Sequence, residues 1–365
     1  MPKIRLKKQS KKADRTLFIL VFVLCVLGLV AVADASSPIA LHAFGDKFYF
    51  VKQQAVWGLI GASLLIIFSR MKYTIWQKMA SPLFFVTILT LILVLIPQFS
   101  SKVLGARRWL MVGPISFQPS EFIKLALAVF LAKVASKDKM IWSYLIPIGI
   151  VSFLIMLQPD LGTTIVILGI GLVQLFVSGV NLFYIVLVSI LSALIGYILI
   201  ITSDYRKARL MTFLQETQDP LGQGYHIRQI LYALGAGGIF GVGLGQSRQK
   251  FLFLPEASTD SIFAIIAEET GFLGATVVII LFAVFVWRGI AIAKRAPDKF
   301  SKILAVGLTT WIGGQAFLNM AAMVALVPLT GIPLPFFSYG GSSLTAVLCA
   351  CGILLNISRY VEKEK

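Results

Sequence analysis

The chain has 365 residues, 58% of them hydrophobic, with a mean hydropathy of +0.88. That much apolar surface exceeds what one soluble core buries, which excludes an ordinary soluble domain. The net charge of +17 sits in clusters between apolar runs, the pattern of a membrane protein rather than a nucleic-acid binder.

The N-terminal tail, residues 1–16, is basic, with Lys3, Arg5, Lys7, Lys8, Lys11, Lys12 and Arg15. Apolar runs then predict ten transmembrane helices, at 17–35, 52–69, 80–97, 119–135, 141–158, 161–178, 182–202, 262–287, 303–326 and 338–357. Each is long enough to cross about 30 Å of hydrocarbon. The runs are continuous rather than alternating, which points to helices and not to a barrel. The expected fold is therefore all-α, one polytopic membrane domain over residues 1–365. Residues 1–35 read as a retained span and not as a cleaved leader, because losing it would break the even count that fits the charges.

Those charges set the orientation. Arg70, Lys72 and Lys78 follow the second span, Lys133, Lys137 and Lys139 the fourth, Arg288, Lys294, Arg295, Lys299 and Lys302 the eighth, and Arg359, Lys363 and Lys365 end the chain. With ten spans all of these fall on one side, which the positive-inside rule makes cytoplasmic. Both termini are then inside and the loops 36–51, 98–118, 203–261 and 327–337 outside.

Four constellations in those outer regions carry chemistry-bearing side chains. The first is Gly105–Trp109, where Arg108 and Trp109 either anchor the chain at the membrane edge or offer a guanidinium to phosphate oxygens. The second is Gln118-Pro119-Ser120-Glu121, with Lys124 inside the apolar run of the fourth span. A cation there costs about 2.5–3.5 kcal/mol on insertion scales, so Lys124 is a candidate binding residue. Gln158-Pro159-Asp160-Leu161-Gly162, between spans five and six, reads as a tight turn.

The third is the long outer loop, 203–261. It predicts an interfacial helix over 204–214, a second helix over 226–234 and a glycine-rich stretch at 235–245. That stretch is neither a P-loop nor a dinucleotide fingerprint, and close helix contact is its plainest reading. Lys250 is a loop cation. Glu256 and Asp260 precede the eighth span, as helix caps or as reacting carboxylates. Glu268 and Glu269 follow inside the span, and several acids entering a membrane from one end favour chemistry over capping alone. The fourth constellation is Pro333–Ser343, whose prolines, glycines and hydroxyls, Ser338 and Ser342 among them, predict a broken or re-entrant helix lining a cavity.

Cys25, Cys349 and Cys351 lie inside expected spans and read as small packing residues. His42 and His226 are too isolated for zinc. No metal site and no cofactor is evident in the residue spacing, and a divalent cation stays open.

In their order along the chain, GARRW (105–109), QPSE (118–121), QPDLG (158–162), GVGLGQSRQK (241–250), FLFLPEASTD (251–260), AEETGFLG (267–274) and PLPFFSYGGSS (333–343) resemble the SEDS family of bacterial shape, elongation, division and sporulation proteins. The Gly241–Lys250 stretch is more similar to the FtsW-like branch than to the RodA-like one. The resemblance implies a peptidoglycan glycosyltransferase of the bacterial cytoplasmic membrane. Its substrate would be lipid II, a disaccharide peptide on undecaprenyl pyrophosphate. Its partners would be a class B penicillin-binding protein and other divisome or elongasome proteins. The family's critical aspartate falls on Asp260 and its tryptophan on Trp109. Ser258 and Ser261 stand where the family has histidine and phenylalanine.

In that reading Asp260 takes the proton of the attacking sugar hydroxyl. Arg108, Lys124 or Lys250 would stabilise the departing pyrophosphate. Trp109, Glu256, Ser338 and Ser342 would line the substrate site. Two rivals remain. One is a lipid II flippase or transporter that uses Lys124 and Glu268; the other is a non-catalytic scaffold whose acids only cap helices.

Overall fold

The computed structural model describes residues 12–103, 106–113, 115–137, 140–214 and 223–361. Twelve α-helices and one small sheet are present among them: α1 Arg15–Phe44, α2 Tyr49–Arg70, α3 Thr74–Leu95, β1 Ser100–Val103, β2 Ala106–Val112, β3 Ile115–Phe117, α4 Pro119–Ala135, α5 Trp142–Met156, α6 Leu161–Ser178, α7 Leu182–Ile201, α8 Asp204–Leu214, α9 Gln223–Gly237, α10 Ile262–Lys294, α11 Lys299–Met323 and α12 Gly341–Ser358. Eight of these (α1, α2, α3, α6, α7, α10, α11 and α12) are long and apolar enough to cross a membrane. The 17-residue α4 and the 15-residue α5 lie where the fourth and fifth spans were expected.

Helix ends follow local chemistry. Asp14, Asp160, Asn181 and Asp298 each accept a backbone N–H from the first turn of α1, α6, α7 and α11. Pro119 opens α4, where its missing N–H costs nothing. The centre of the bundle is α12, whose small residues let α2 pack closely against it and leave it almost wholly enclosed. Buried amides join the helices: Asn356 donates to Ser69 O at 2.9 Å, and Gln174 to Ala128 O and Ile303 O at 2.9 and 3.1 Å. By contrast α7 buries only Ile185 among its residues and presents the rest outward, as a helix bathed in lipid would.

Three expectations are corrected here. The fold is not purely helical: residues 100–117 form a three-stranded antiparallel sheet in the order β1-β2-β3, with Ser101 opposite Trp109 and Leu110 opposite Phe117. Arg107, Arg108 and Trp109 thus ride on the central strand. The eighth expected span, 262–287, extends to Lys294 and is broken at Gly271. The segment before α12 is not a re-entrant helix: residues 327–334 run without helix or strand, and a turn at 335–339 leads into α12. The expected loop helices are present as α8 and α9; residues 1–11, Leu104, Gly105 and 215–222 lie outside the described residues.

Candidate active site

A cavity of about 660 Å³ opens where β2, the start of α2, the 255–260 loop and the 331–343 segment meet. Its walls bring together Arg108, Trp109, Glu256, Asp260 and Ser342 from the sequence candidates, with Gln53, Trp57, Tyr339 and Ser343. Residues more than 230 positions apart thus share one polar chamber.

Each wall is held by identifiable contacts. Arg108 donates Nε–H to Gln158 O at 3.0 Å and an Nη2–H to Pro159 O at 2.6 Å. The turn at 158–160 therefore aims the guanidinium, and its remaining N–H groups stay available to a ligand. Asp160 in turn caps α6, accepting from Thr163 N and Thr163 Oγ1 at 3.0 and 2.9 Å. Tyr339 Oη donates to Gln53 Oε1 at 2.6 Å, and Gln54 binds both Ser338 O and the Gly340 N–H at 3.2 Å. Ser342 Oγ accepts from Gln118 N at 3.2 Å, which ties the start of α12 to the start of α4.

Asp260 sits two residues before α10. Asp260 lines the cavity, and among the described residues no side-chain hydrogen bond engages its carboxyl. Burial pushes this carboxyl up to about 7; the nearby Glu256 and Asp160 charges push the same way, and Arg108 and Arg209 oppose them. Arg209, on α8, donates to Leu329 O at 3.2 Å. Behind the cavity His226 of α9 hydrogen-bonds Ser261 Oγ at 2.8 Å. Burial, helped by Arg209, pulls His226 down to about 4, so the ring is neutral near pH 7.

Three sequence candidates lie elsewhere. Lys124 is buried against Glu121 Oε1 and Gln315 Oε1, both at 2.7 Å, beneath the Trp311 ring. Lys250 is paired with Asp34 and Glu269 at 2.7 and 2.8 Å. Ser338 accepts from Leu334 N at 2.7 Å and donates to Thr259 O at 2.5 Å, which commits its hydroxyl to the backbone. None of the three is among the residues that line the cavity, and each charged or polar head is engaged by protein partners.

Glu268 and Glu269 are likewise engaged. Glu269 accepts from Gly245 N and Ser247 N at 3.0 and 3.1 Å; Glu268 accepts from Arg248 N at 3.0 Å and from Ser247 Oγ. The break at Gly271 frees backbone groups of α10, and the glycine-rich loop takes them: Val242 N and Gly243 N donate to Glu268 O and Glu269 O, while Phe272 N and Leu273 N donate to Gly238 O and Ile239 O. Gly241 touches the break so closely that a Cβ there would stand 2.1 Å from Glu269 O. Both acids hold the glycine-rich loop against α10. The glycine run makes the close helix contact its composition suggested. Among the described residues no group of three or more His, Cys, Asp or Glu side chains is arranged to hold a metal.

Sequence reasoning passed over Asp160, Arg209, Asn319 and Tyr339. Asp160 and Tyr339 lay inside noted motifs, but nothing in their spacing aimed them at Asp260.

The chain is similar to known proteins over nearly its whole length. Stage V sporulation protein E of Bacillus subtilis is 45% identical over 357 residues, covering 95% of this chain and 97% of the relative. A probable peptidoglycan glycosyltransferase FtsW of Trichlorobacter lovleyi is 40% identical, covering 94% and 93%. Among solved structures, one described as "Structural coordination of polymerization and crosslinking by a peptidoglycan synthase complex" superposes with a TM-score of 0.78 at 28% identity, covering 95% of this chain and 98% of its own. The rod shape determining protein RodA of Thermus thermophilus superposes at 0.71 with 27% identity, covering 96% and 98%. The family profile described as "Cell cycle protein" matches residues 15–363, and the chain belongs to this FtsW/RodA/SpoVE family.

Proposed function

We propose that this chain is a peptidoglycan glycosyltransferase that polymerises lipid II, with Asp260 as the general base. The observation that carries the reading is the Asp260 carboxyl, raised to about 7 and open to a polar cavity that also presents Arg108. A base whose pKa lies near the working pH is both deprotonated often enough and basic enough to take a proton. One sugar hydroxyl attacks the anomeric carbon of a second, lipid-linked sugar. The new C–O bond forms as the bond to pyrophosphate breaks. The pyrophosphate leaves with the electron pair, and the hydroxyl proton passes to Asp260. Arg108, already oriented by two carbonyls, offers its remaining N–H groups to the oxygens that gain charge. Trp109, Glu256 and Ser342 shape the chamber for the sugars.

The topology we propose has ten spans, α1–α7 without interruption and then α10–α12, with both termini cytoplasmic and the α7–α10 segment outside. It is supported by contacts that gather one end of the bundle. Asp14 pairs with Arg288, Tyr73 donates to Asp298, and the Asp14 N–H reaches Ser358 Oγ at 2.9 Å. That end is the one that carries the basic clusters.

A penicillin-binding partner of class B would supply cross-linking. We place it on the lipid-facing side of α10 and α11, where Phe272, Val277, Ile280, Trp287 and Phe317 are exposed. The transport reading loses support because Lys124 and Glu268 are consumed by buried contacts. The deciding experiment is polymerisation of purified lipid II by the purified protein, with and without the partner. Glycan strands support the enzyme; translocation without polymer supports the flippase; neither supports the scaffold.

A further inference from the structure

Three consecutive carbonyl groups ahead of α10 are each taken by a donor from the α11–α12 half of the chain. The Tyr339 N–H donates to Ser258 O at 2.8 Å, Ser338 Oγ to Thr259 O at 2.5 Å, and Asn319 Nδ2 to Asp260 O at 2.8 Å. Asn319 gives its second N–H to Ile332 O, also at 2.8 Å. Its amide hydrogens are thus fully spent on two walls of the cavity, and its side chain does not line the chamber.

An amide inside an enclosed helix is costly unless it is bonded. Asn319 is 2% exposed, and its Oδ1 is buried without a hydrogen-bond partner among the described residues. A residue there solely for packing would avoid that orphaned oxygen, so it is the donor side that accounts for the amide. One turn earlier Gln315 repeats the arrangement. It donates to Pro333 O at 2.9 Å, and Lys124 Nζ and Trp311 Nε1 hold its Oε1 at 2.7 and 3.0 Å. The two amides strap the 332–333 segment to α11, and Asn319 alone extends the strap to Asp260.

We propose that Asn319 is a positioning residue for the polymerisation reaction: by holding the Asp260 main chain to the 332 segment it sets the carboxylate against Arg108 and the cavity, without touching substrate. The inference rests on the reading of Asp260 as the base. Without that bond the backbone at Asp260 and Ser261, ahead of the first turn of α10, can rotate, and the carboxylate leaves its reactive position. A misplacement of about 1 Å costs on the order of 100-fold in rate.

The test compares Asn319→Ala, Asn319→Asp, Asp260→Asn and the Asp260→Asn/Asn319→Ala double variant, each purified with its partner and assayed on lipid II. Asn319→Asp keeps the shape but turns a carboxylate toward two carbonyl oxygens, so it carries the test if the alanine variant does not fold. The expected result is a kcat lower by about 10- to 100-fold with KM nearly unchanged. The acid limb of the pH profile should move to lower pH, as the carboxyl gains solvent. The double variant should be no slower than Asp260→Asn alone, because both changes act on one group. A wild-type kcat in either Asn319 variant, or losses that multiply in the double variant, overturns the positioning role. If Asp260→Asn itself keeps its rate, the base assignment fails instead, and the two failures are told apart within one data set.

Discussion

Asp260 behaves as it does because two demands meet at one side chain. Water-poor surroundings and the Glu256 and Asp160 charges raise its proton affinity, while Arg108 and Arg209 keep ionisation within reach of neutral pH. Asp260→Asn keeps size and removes the basic oxygen, so polymerisation should fall by about 10²–10⁴-fold in a lipid II assay, with expression and partner binding intact. In the wild type, kcat/KM should rise with pH and level off above an apparent pKa near 7. A flat profile from pH 5 to 9 would argue against a carboxylate base. The same shift has a stability side. The folded pKa lies above the unfolded value of about 3.9, so the protonated form favours folding, and that contribution is full below pH 4 and lost as pH rises through 7. Asp260→Asn should therefore raise the thermal midpoint at pH 8 and leave it unchanged near pH 4. Equal midpoints at pH 8 would mean that the carboxylate is not desolvated.

At the scale of elements, the glycine-rich loop and the broken α10 form one unit. The helix gives up its own backbone bonds at Gly271, and the loop replaces them. Both glycines at the contact have left-handed φ, +82° at Gly241 and +69° at Gly271. Gly241→Ala adds about 1–2 kcal/mol of backbone strain to a collision with Glu269 O. It should lower the thermal midpoint and slow polymerisation, since the displaced loop leads directly to Asp260. Unchanged stability in a detergent melt would show that the loop does not depend on this contact. This unit was half legible in the sequence. The glycines suggested close contact, but the acids of α10 looked like chemistry, because most of their partners are backbone N–H groups of the loop that no side-chain pattern announces. The sheet at 100–117 escaped notice for a related reason: three short strands have too few residues to show a period.

At the scale of the molecule, the basic clusters, the contacts that gather one end of the bundle and the run of apolar helices all point to one orientation. A cysteine placed at Lys47, in the exposed turn after α1, should react with an impermeant thiol reagent added to intact cells, and one at Lys137, after α4, should not. The three natural cysteines are half-buried or buried, which keeps the background low. Labelling at Lys137 alone would invert the topology and put Asp260 on the cytoplasmic side.

Hydropathy by itself determined the membrane class and the approximate place of the long apolar helices, because transfer into lipid is read residue by residue along the chain. The ordered motifs likewise singled out Asp260, Arg108 and Trp109. Only the tertiary structure decided which charges are used up internally. Lys124, Lys250 and Glu269 look as available as Arg108 in one dimension, yet Gln315 of α11 engages Lys124, and Lys250 and Glu269 engage each other across the loop and α10. It also decided that Asp160, Tyr339 and Asn319 gather around Asp260 and its cavity, because proximity across 60 to 230 residues of chain depends on helix packing and leaves no local pattern.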